Sequence, residues 1–583
     1  MMLSNITSIH KNKGSRLSLE NDRGIFIQTV LKEVLDKLFY AGNIDPIDQA
    51  MSDSNNGAWK QRNIRDHLFI LYAVINSVIK GGEECIDIQV YDIQKAFDSL
   101  WIDDTFNDLY DILPNEKRND QISLLYNMNI SNLVAINTPV GLSQRIDMPR
   151  IIQQGGVWGS ILCSNTIDSI GRKCDREGKH LYMYKKRVSV LPLGFVDDLN
   201  GIARCGSDSL HLNIFLNSEI ELKKLTFHQS EAPESSKCLR MHVGHKKGLC
   251  PPLKVHNQYM ANVSEITYLG DRVSADGKNT KNVAQRTQKG TGIICQIMKV
   301  IRTVNFGYHT VEIAILMRES ILLNGILTNI EVWHNITNSE IQELEKIDRH
   351  FLQKVLCVPK SVPIAALYLE TGLLPISVII KVRRLNYFHT ILTGPSNGML
   401  FKVFKTQWNF PCKGDWTLLV KKDLDDFDIE SDLTDIKLKS KETFKKLVKS
   451  KARDYAYDSL CNKQKSCNKM ENLTYFEHSI QKYMVNSDYS YNEVTLIFKF
   501  RTRMLNFGQN FRAGRDVVWC PLCHMHIDSQ MLILQCPVIE EALIEQFSNL
   551  RVMDIRNLFN QNIKTEVVQA LKSAIEVRDK KLV

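Results

Sequence analysis

The chain has 583 residues, of which 44% are hydrophobic and 24% are charged, so its composition is that of a globular protein and not of a disordered one. Its net charge of +9 is a modest basic excess, which is compatible with a phosphate-bearing partner but does not demonstrate one. The 14 cysteines are scattered, which excludes a dense disulfide scaffold and favours a reducing compartment.

The sequence carries no signal for export or membrane insertion. No charged and apolar leader opens the chain, and no apolar run is long enough to span a bilayer. We therefore expect a protein of the nucleus or cytoplasm without a membrane partner. A chain of this length can bury a large core and should contain several subdomains.

A strand and an amphipathic helix are predicted near the N-terminus. The strand runs into a turn at Lys13, a short segment around Arg23 follows, and apolar residues at helical spacing begin at Val30. A basic loop with Arg62 then leads into a second predicted helix at Asp66. Each of these cations is a candidate for phosphate contact, but a solvated basic surface explains each one at least as well.

The next informative segment is a predicted strand that ends in an aspartate. β-Branched residues after Cys85 predict a strand that ends at Asp92, and the pattern becomes helical at Ala96. An aspartate at the end of a strand is a usual position for a metal ligand. It can also be the cap of the helix that follows.

A glycine-containing segment precedes a third predicted helix. Gln154 and Gly155 lie in a loop where the missing Cβ of glycine lets a ligand approach the backbone. Ser160 is predicted to be the N-cap of the helix that continues through Ile170.

Two adjacent aspartates, Asp197 and Asp198, lie between two apolar segments, which predicts a β-hairpin with an acidic pair at its tip. Neighbouring carboxylates repel each other, and a hard cation such as Mg²⁺ removes the conflict because it takes oxygen ligands and adds positive charge. Taken alone, an acidic pair at a hairpin is usually turn chemistry.

Three segments in this order resemble the motifs A, B and C of reverse transcriptases. They are Asp92-x-x-x-Ala96-Phe97-Asp98, the segment 153–162, and Phe195-x-Asp197-Asp198. The sequence looks most like the polymerases of non-LTR (LINE-like) retrotransposons, without the endonuclease that many of them carry upstream. The resemblance implies an α+β fold of the right-hand polymerase type, with fingers, a palm with an antiparallel sheet, a helical thumb and a helical C-terminal extension.

On this resemblance we expect five parts. They are the fingers (1–84), the palm with a fingers insertion (85–250), a motif E hairpin with the helical thumb (251–360), a helical C-terminal extension (361–500), and a basic segment with a knuckle-like element and a helical tail (501–583).

The resemblance implies an RNA-directed DNA polymerase that extends a primer 3′-hydroxyl by two-metal-ion nucleotidyl transfer. Its catalytic aspartates match Asp92, Asp197 and Asp198, which would hold two Mg²⁺ ions together with the main-chain carbonyl of Ile93. Lys237 matches the motif D lysine, whose ammonium group can protonate the leaving pyrophosphate. A plain lysine at a strand edge is the alternative for this residue.

The resemblance also implies a binding site for deoxynucleoside triphosphates. Lys13 and Arg23 match the two basic residues of the fingers that touch the triphosphate, and Phe97 matches the side chain that rejects ribonucleotides at the sugar 2′ position. Gln154 and Gly155 match the motif B residues beside the nascent base pair. The partners implied are template RNA, a DNA primer or target DNA, and the nucleotides.

The C-terminal part has a basic run over 437–453, which suits either a nucleic-acid backbone or, as we favour, the solvated face of a helix. Arg501 and Arg503 would suit phosphates. A knuckle-like element follows, and the Cys-x-x-Cys spacing within it suits tetrahedral zinc. Its candidate ligands are Cys520, Cys523, His524, His526 and Cys536.

The knuckle departs from its relatives because Leu532 occupies the position of the expected histidine, so a cysteine-bearing hairpin without metal is the alternative. The alternative for the whole chain is a catalytically decayed or domesticated nucleic-acid-binding protein. The altered knuckle favours some decay, whereas the intact set of aspartates argues against complete loss.

Overall fold

A computed structural model describes residues 3–582 except 12–14, 16–20, 58, 60–61, 114–119, 131–132, 139, 149–155, 179–180, 229–235, 246–250, 512–516, 548–556 and 560–562. The chain forms two compact units. The first contains Met1–Asn279, Val332–Asn335 and Ile391–Leu419, and the second contains Thr280–Glu331, Ile336–Thr390 and Val420–Val583.

The strands of the described residues all belong to the first unit. They are β1 (Leu3–His10), β2 (Asp22–Gln28), β3 (Ile86–Asp92), β4 (Leu133–Thr138), β5 (Gly141–Leu142), β6 (Ile146–Asp147), β7 (Tyr182–Tyr184), β8 (Val188–Val190), β9 (Leu193–Phe195), β10 (Asp198–Arg204), β11 (Leu239–Val243), β12 (Lys254–Val255), β13 (Gln258–Tyr259), β14 (Ala261–Val263), β15 (Glu265–Tyr268) and β16 (Asp271–Ser274).

The α-helices of the described residues are distributed over both units. They are α1 (Val30–Ala50), α2 (Ile64–Gly81), α3 (Ala96–Ser99), α4 (Ile102–Ile112), α5 (Asp120–Ile130), α6 (Gly159–Glu177), α7 (Ser207–Leu222), α8 (Thr280–Thr303), α9 (Thr310–Met317), α10 (Leu323–Ile326), α11 (Asn338–Val355), α12 (Ile364–Thr371), α13 (Ile376–Thr393), α14 (Met399–Asn409), α15 (Trp416–Asp426), α16 (Leu433–Leu438), α17 (Lys441–Lys465), α18 (Tyr491–Arg501), α19 (Gly508–Phe511), α20 (Pro537–Phe547) and α21 (Thr565–Leu582). The predicted α+β class is confirmed. The five-part division stays a prediction.

The core of the first unit surrounds α2, which is buried on all sides over most of its length. Every residue of this helix from Asp66 to Val78 is buried. Asn63 caps its N-terminus, and the side chain of Asp66 accepts a hydrogen bond from the backbone of Asn63 in return, so the end of a buried helix is satisfied. The helix starts close to the position that the sequence predicted.

A five-stranded sheet in the order β14-β11-β3-β10-β9 positions the acidic residues. Strand β3 lies between β10 and β11 and is antiparallel to both, while β14 runs parallel to β11. Gln89 and Tyr91 of β3 face α7, because they contact Ser209 and Asn213 of that helix. Since side chains of a strand alternate between faces, Asp92 lies on the opposite face.

A second sheet combines the N-terminal hairpin with the segment after α5. Its order is β2-β1-β4-β5, with β6 paired to β4, and β1 and β4 are parallel. The predicted N-terminal strand and the helix from Val30 are therefore both present.

The start of α6 differs from its prediction. The helix begins at Gly159 after Trp158, and Ser160 lies inside the first turn, so it is not the N-cap. Trp158 makes no side-chain capping bond, but its indole nitrogen donates to the main-chain oxygen of Asp36. This distant packing contact fixes the start of the helix, and capping propensity alone could not reveal it.

The second unit is helical in its described part and is held by buried ion pairs. Arg501 of α18 pairs with Glu370 of α12 at 2.9 Å, and both side chains are almost completely buried. Tyr475 and Tyr483 donate hydrogen bonds to the same carboxylate. Arg501 therefore does not contact phosphates as its position in the sequence had suggested, because it neutralises a buried glutamate.

The basic run after residue 437 belongs mainly to α17, which is amphipathic. Its buried residues recur every four positions from Phe444 through Val448, Ala452 and Ala456 to Leu460, and its lysines lie on the other faces. The favoured interpretation of this run as a solvated helix face agrees with the structure.

None of the described helices alone has the length and apolar character needed to cross a bilayer. One bent pair of helices, Ile364–Thr371 with Ile376–Thr393, reaches that length and character only when the two are taken together.

Candidate active site

The acidic pair lies at a tight turn between β9 and β10, as the sequence predicted. Asp198 pairs with Phe195 across this hairpin, so the loop consists of Val196 and Asp197 alone. On its other side Asp198 lies directly opposite Asp92 of β3. Directly opposed residues of an antiparallel pair have Cα atoms roughly 4.5–5.5 Å apart and side chains on the same face. The fold therefore brings Asp92 beside the acidic pair, which follows it much later in the sequence.

The turn is strained and is held from one side by a loop. Val196 has φ = 59°, a left-handed conformation that β-branched residues avoid. A Cβ on Gly57 would lie 2.8 Å from Cγ2 of Val196 and 2.9 Å from Oγ of Ser164, so only glycine fits there. Asn55 fixes the loop, because it donates to the main-chain oxygen of Ser164 and accepts from the backbone of Gly57.

Asn55 and Gly57 are positioning residues that could not be identified from the sequence. The only signal available was the Asn-Asn-Gly turn composition of this segment. Arg62, which had been a candidate for phosphate contact, donates to the main-chain oxygens of Asp48, Ser52 and Asn55. It therefore holds the loop instead of presenting its guanidinium group to a ligand.

The environment of the acidic pair disfavours its ionisation. Burial and the neighbouring carboxylates of Asp197 and Asp92 raise the pKa of Asp198 to about 6. Burial and Asp92 also raise the pKa of Asp197, against the lowering effect of Arg23 and Lys237. A divalent cation would relieve this repulsion, and carboxylate oxygens are the ligands that Mg²⁺ prefers, so the donor set fits that ion.

Lys237 lies close to the first aspartate. Its Nζ is 2.9 Å from Oδ2 of Asp92, and the lysine side chain is 59% exposed. Among the described residues, two groups of possible metal ligands have all their ligand atoms within 4.8 Å of one another, and the three aspartates do not form such a group. The ammonium group of Lys237 thus neutralises the charge of Asp92. A metal ion bound by the three carboxylates would neutralise that charge in its place.

Ile93 and Phe97 follow directly after β3. Ile93 forms an isolated antiparallel bridge with Phe227, in which Gln94 donates to Thr226 and His228 donates to Asp92. These two hydrogen bonds involve the N–H of Gln94 and the carbonyl oxygen of Asp92. The carbonyl oxygen of Ile93 takes part in neither of them. Phe97 lies in the short helix α3 and is half-buried.

The structure describes two of the predicted nucleotide-binding residues, Phe97 and Arg23. Arg23 is exposed on β2 opposite Ile9, and its charge acts on Asp197. Lys13, Gln154 and Gly155 lie outside the described residues.

The knuckle-like element brings three of its five candidate ligands together. Cys520, Cys523 and Cys536 have sulfur atoms within 4.8 Å of one another, and those of Cys520 and Cys536 are 3.8 Å apart. Among the described residues, neither His524 nor His526 belongs to this group of closely spaced ligand atoms. Burial raises the pKa of the Cys523 thiol, but hydrogen bonds from the backbone N–H groups of Met525 and His526, together with those to Cys520 and Cys536, bring it below its ordinary value.

Comparisons with known proteins give distant structural likenesses. No protein-family model matches the chain, and no curated protein matches it significantly. Two of the solved structures that match are an apo telomerase from Candida tropicalis truncated from the C-terminal domain (15% identity, TM-score 0.30, covering 47% of this chain and 53% of that one) and a telomerase from Candida albicans in complex with a TWJ fragment of telomeric RNA (11% identity, TM-score 0.35, covering 75% and 64%). This chain thus spans less than two thirds of the length of either structure.

Proposed function

We propose that this protein is an RNA-directed DNA polymerase that extends a primer 3′-hydroxyl with deoxynucleotides. The observation that carries the proposal is the direct opposition of Asp92 and Asp198 across β3 and β10, with Asp197 in the adjoining turn. Carboxylates that lie near one another in this way can hold the metal ions of a two-metal nucleotidyl transfer.

Asp92, Asp197 and Asp198 would hold the Mg²⁺ ions, and the carbonyl oxygen of Ile93 is the fourth candidate donor. When bound, the ions supply a lowered pKa at the primer hydroxyl and neutralise the charge of the phosphates. Lys237, freed from Asp92, would protonate the leaving pyrophosphate. Phe97 would exclude the 2′-hydroxyl of ribonucleotides, and Arg23 would contact the triphosphate through its guanidinium group.

Primer extension by the full chain tests this proposal. On a poly-rA template with an oligo-dT primer and Mg²⁺, the wild type should extend the primer, and Asp197→Asn should not. Asp175→Asn, which changes an exposed aspartate near the end of α6, is the matched control and should retain activity. Extension by Asp197→Asn at the wild-type level would refute the assignment. A wild type that binds the duplex without extending it would instead support the decayed nucleic-acid-binding protein.

We also propose that this polymerase serves a non-LTR retrotransposon. The support is the order and spacing of its motifs in the sequence. Such an enzyme should use the 3′-hydroxyl at a nick in duplex DNA as its primer and copy an RNA that is not annealed to that end. Extension from pre-annealed primers alone, with none from nicked duplexes, would contradict this role while leaving the polymerase assignment intact.

For the knuckle-like element we propose a zinc site formed by Cys520, Cys523 and Cys536. The support is the closeness of the three sulfur atoms together with the lowered pKa of Cys523, because the thiolate is the form that binds zinc. Cys523→Ser should bind one zinc ion per chain fewer than the wild type.

A further inference from the structure

The rear end of the catalytic sheet carries a second cluster of soft ligands. Cys85 directly precedes β3, Cys205 directly follows β10, and His242 lies on β11. One ligand atom from each lies within 4.8 Å of those of the other two. These residues come from three separate parts of the chain, so sequence spacing gives no hint of the cluster.

The strand register explains why the three side chains meet. The backbone N–H of Cys205 donates to the oxygen of Cys85, so the two cysteines continue the pairing of β10 with β3. His242 lies opposite Asp87, two residues from Cys85 and hence on the same face of β3. Asp92 is seven residues from Cys85, which places it on the other face and roughly 20 Å away. The cluster is therefore separate from the acidic site.

The backbone around the cluster is built for close approach. Gly244 follows β11 with φ = 96°, and a Cβ at this position would lie 3.2 Å from Cα of Cys85. Glycine at this position thus allows the end of β11 to pack directly against the start of β3. The three strand ends are held together without a bulky side chain between them.

The imidazole of His242 is oriented by its neighbours. Its Nδ1 is 3.2 Å from the sulfur of Cys205 and 3.1 Å from Oδ1 of Asp87. Asp87 is fully buried, and its other oxygen pairs with Arg240 at 2.5 Å, so this carboxylate is fixed in place. Within the described part of the chain, Nε2 of His242 is buried without a hydrogen-bond partner. Carboxylates also orient the histidines of zinc sites, where they hold the ring nitrogen that does not bind the metal. Here Asp87 and the Cys205 sulfur both approach Nδ1, which leaves Nε2 as the nitrogen without a partner among the described residues.

We propose that Cys85, Cys205 and His242 bind one thiophilic divalent cation of the Zn²⁺ type. Two thiolates and an imidazole are a ligand set typical of this ion, and all three residues are half-buried, which leaves a fourth position for water. Binding would displace the two thiol protons into solvent, and the bound ion would tie together the ends of β3, β10 and β11. The site is independent of the proposed polymerase activity and of the knuckle-like element.

Metal-binding measurements on the full chain test the proposal. The protein is stripped with a chelator under a phosphine reductant, and Zn²⁺ is titrated in competition with a chromophoric chelator. Cys205→Ser should bind one equivalent less than the wild type, and His242→Gln should bind at this site at least about tenfold more weakly. Cys295→Ser changes an exposed cysteine outside both clusters and should bind like the wild type.

A second arm separates this site from the knuckle-like element. Co²⁺ replaces Zn²⁺ and gives thiolate charge-transfer absorption. This absorption should be reduced but still present in Cys523→Ser, and it should fall further when Cys205→Ser is added. Circular dichroism of the metal-free variants shows whether they fold. A folded Cys205→Ser protein with the wild-type stoichiometry would overturn the proposal. So would mass spectrometry that finds a disulfide between Cys85 and Cys205 in protein purified without reductant and no metal uptake after its reduction.

Discussion

A side chain at position 57 would collide with the turn that carries the acidic pair, because a Cβ on Gly57 would lie 2.8 Å from Cγ2 of Val196. The turn itself holds Val196 in a left-handed conformation. Strain of this kind persists only where the surroundings enforce it, and here the loop with Asn55 and Gly57 does so. The position of Asp197 thus depends on residues about 140 positions earlier in the chain.

Gly57→Ala should displace this turn. We expect a loss of stability of about 1–3 kcal/mol from overpacking, together with a larger loss of primer extension because Asp197 moves. Urea unfolding and extension kinetics measure the two effects. Gly292→Ala is the matched control, since a Cβ there meets nothing within 4 Å in α8, and it should stabilise the chain slightly. Full activity in Gly57→Ala would show that the loop does not position the turn.

The raised pKa of Asp198 predicts a pH-dependent effect of its removal. Its pKa is about 6 in the folded chain and about 3.9 when unfolded, so above pH 6 the ionised carboxylate destabilises the fold, and this penalty fades as the pH falls towards 4. In chelator-containing buffer, Asp198→Asn should therefore be more stable than the wild type by about 1–3 kcal/mol at pH 7.5 and equal to it near pH 4. Thermal unfolding across this range measures the difference, and a constant difference would contradict it.

Mg²⁺ should stabilise the wild type through the same carboxylates. A ligand that binds only the folded chain stabilises it, so on the proposed assignment Mg²⁺ at pH 7.5 should raise the melting temperature of the wild type and much less that of Asp198→Asn. Asp175→Asn should respond like the wild type. An equal response of all three proteins would mean that the ion acts elsewhere.

Phe97→Val should relax the discrimination against ribonucleotides. A smaller side chain leaves room for a 2′-hydroxyl, and contacts of this size are worth about tenfold or more in discrimination. The ratio of kcat/KM for a deoxynucleotide to that for its ribonucleotide should fall accordingly, while the value for the deoxynucleotide changes little. An unchanged ratio would leave Phe97 with a packing role alone.

Glu370→Gln should strongly destabilise the second unit. It removes the partner of Arg501, whose buried charge would remain, and such a loss costs about 3–5 kcal/mol. Glu343→Gln breaks an exposed pair with Lys346 and should have almost no effect. The midpoints of urea unfolding compare the two variants. Similar midpoints would show that Arg501 finds another partner.

The features of this protein that depend on local patterns are encoded in short segments of its sequence. The strand that ends at Asp92, the hairpin that carries Asp197 and Asp198, and the amphipathic α17 could all be predicted, because periodicity and turn composition act over a few residues. The order of these segments was also enough to suggest their common chemistry.

The three-dimensional fold brings residues together across long distances in the chain, and the sequence does not reveal which ones. It paired Asp92 with Asp198, gave Arg62 and Arg501 internal partners, and gathered Cys85, Cys205 and His242 at the rear of one sheet. Strand register and packing determine these contacts, and neither can be recognised from a short stretch of sequence. A buried cation and a solvated one, for example, are the same residue type in the sequence.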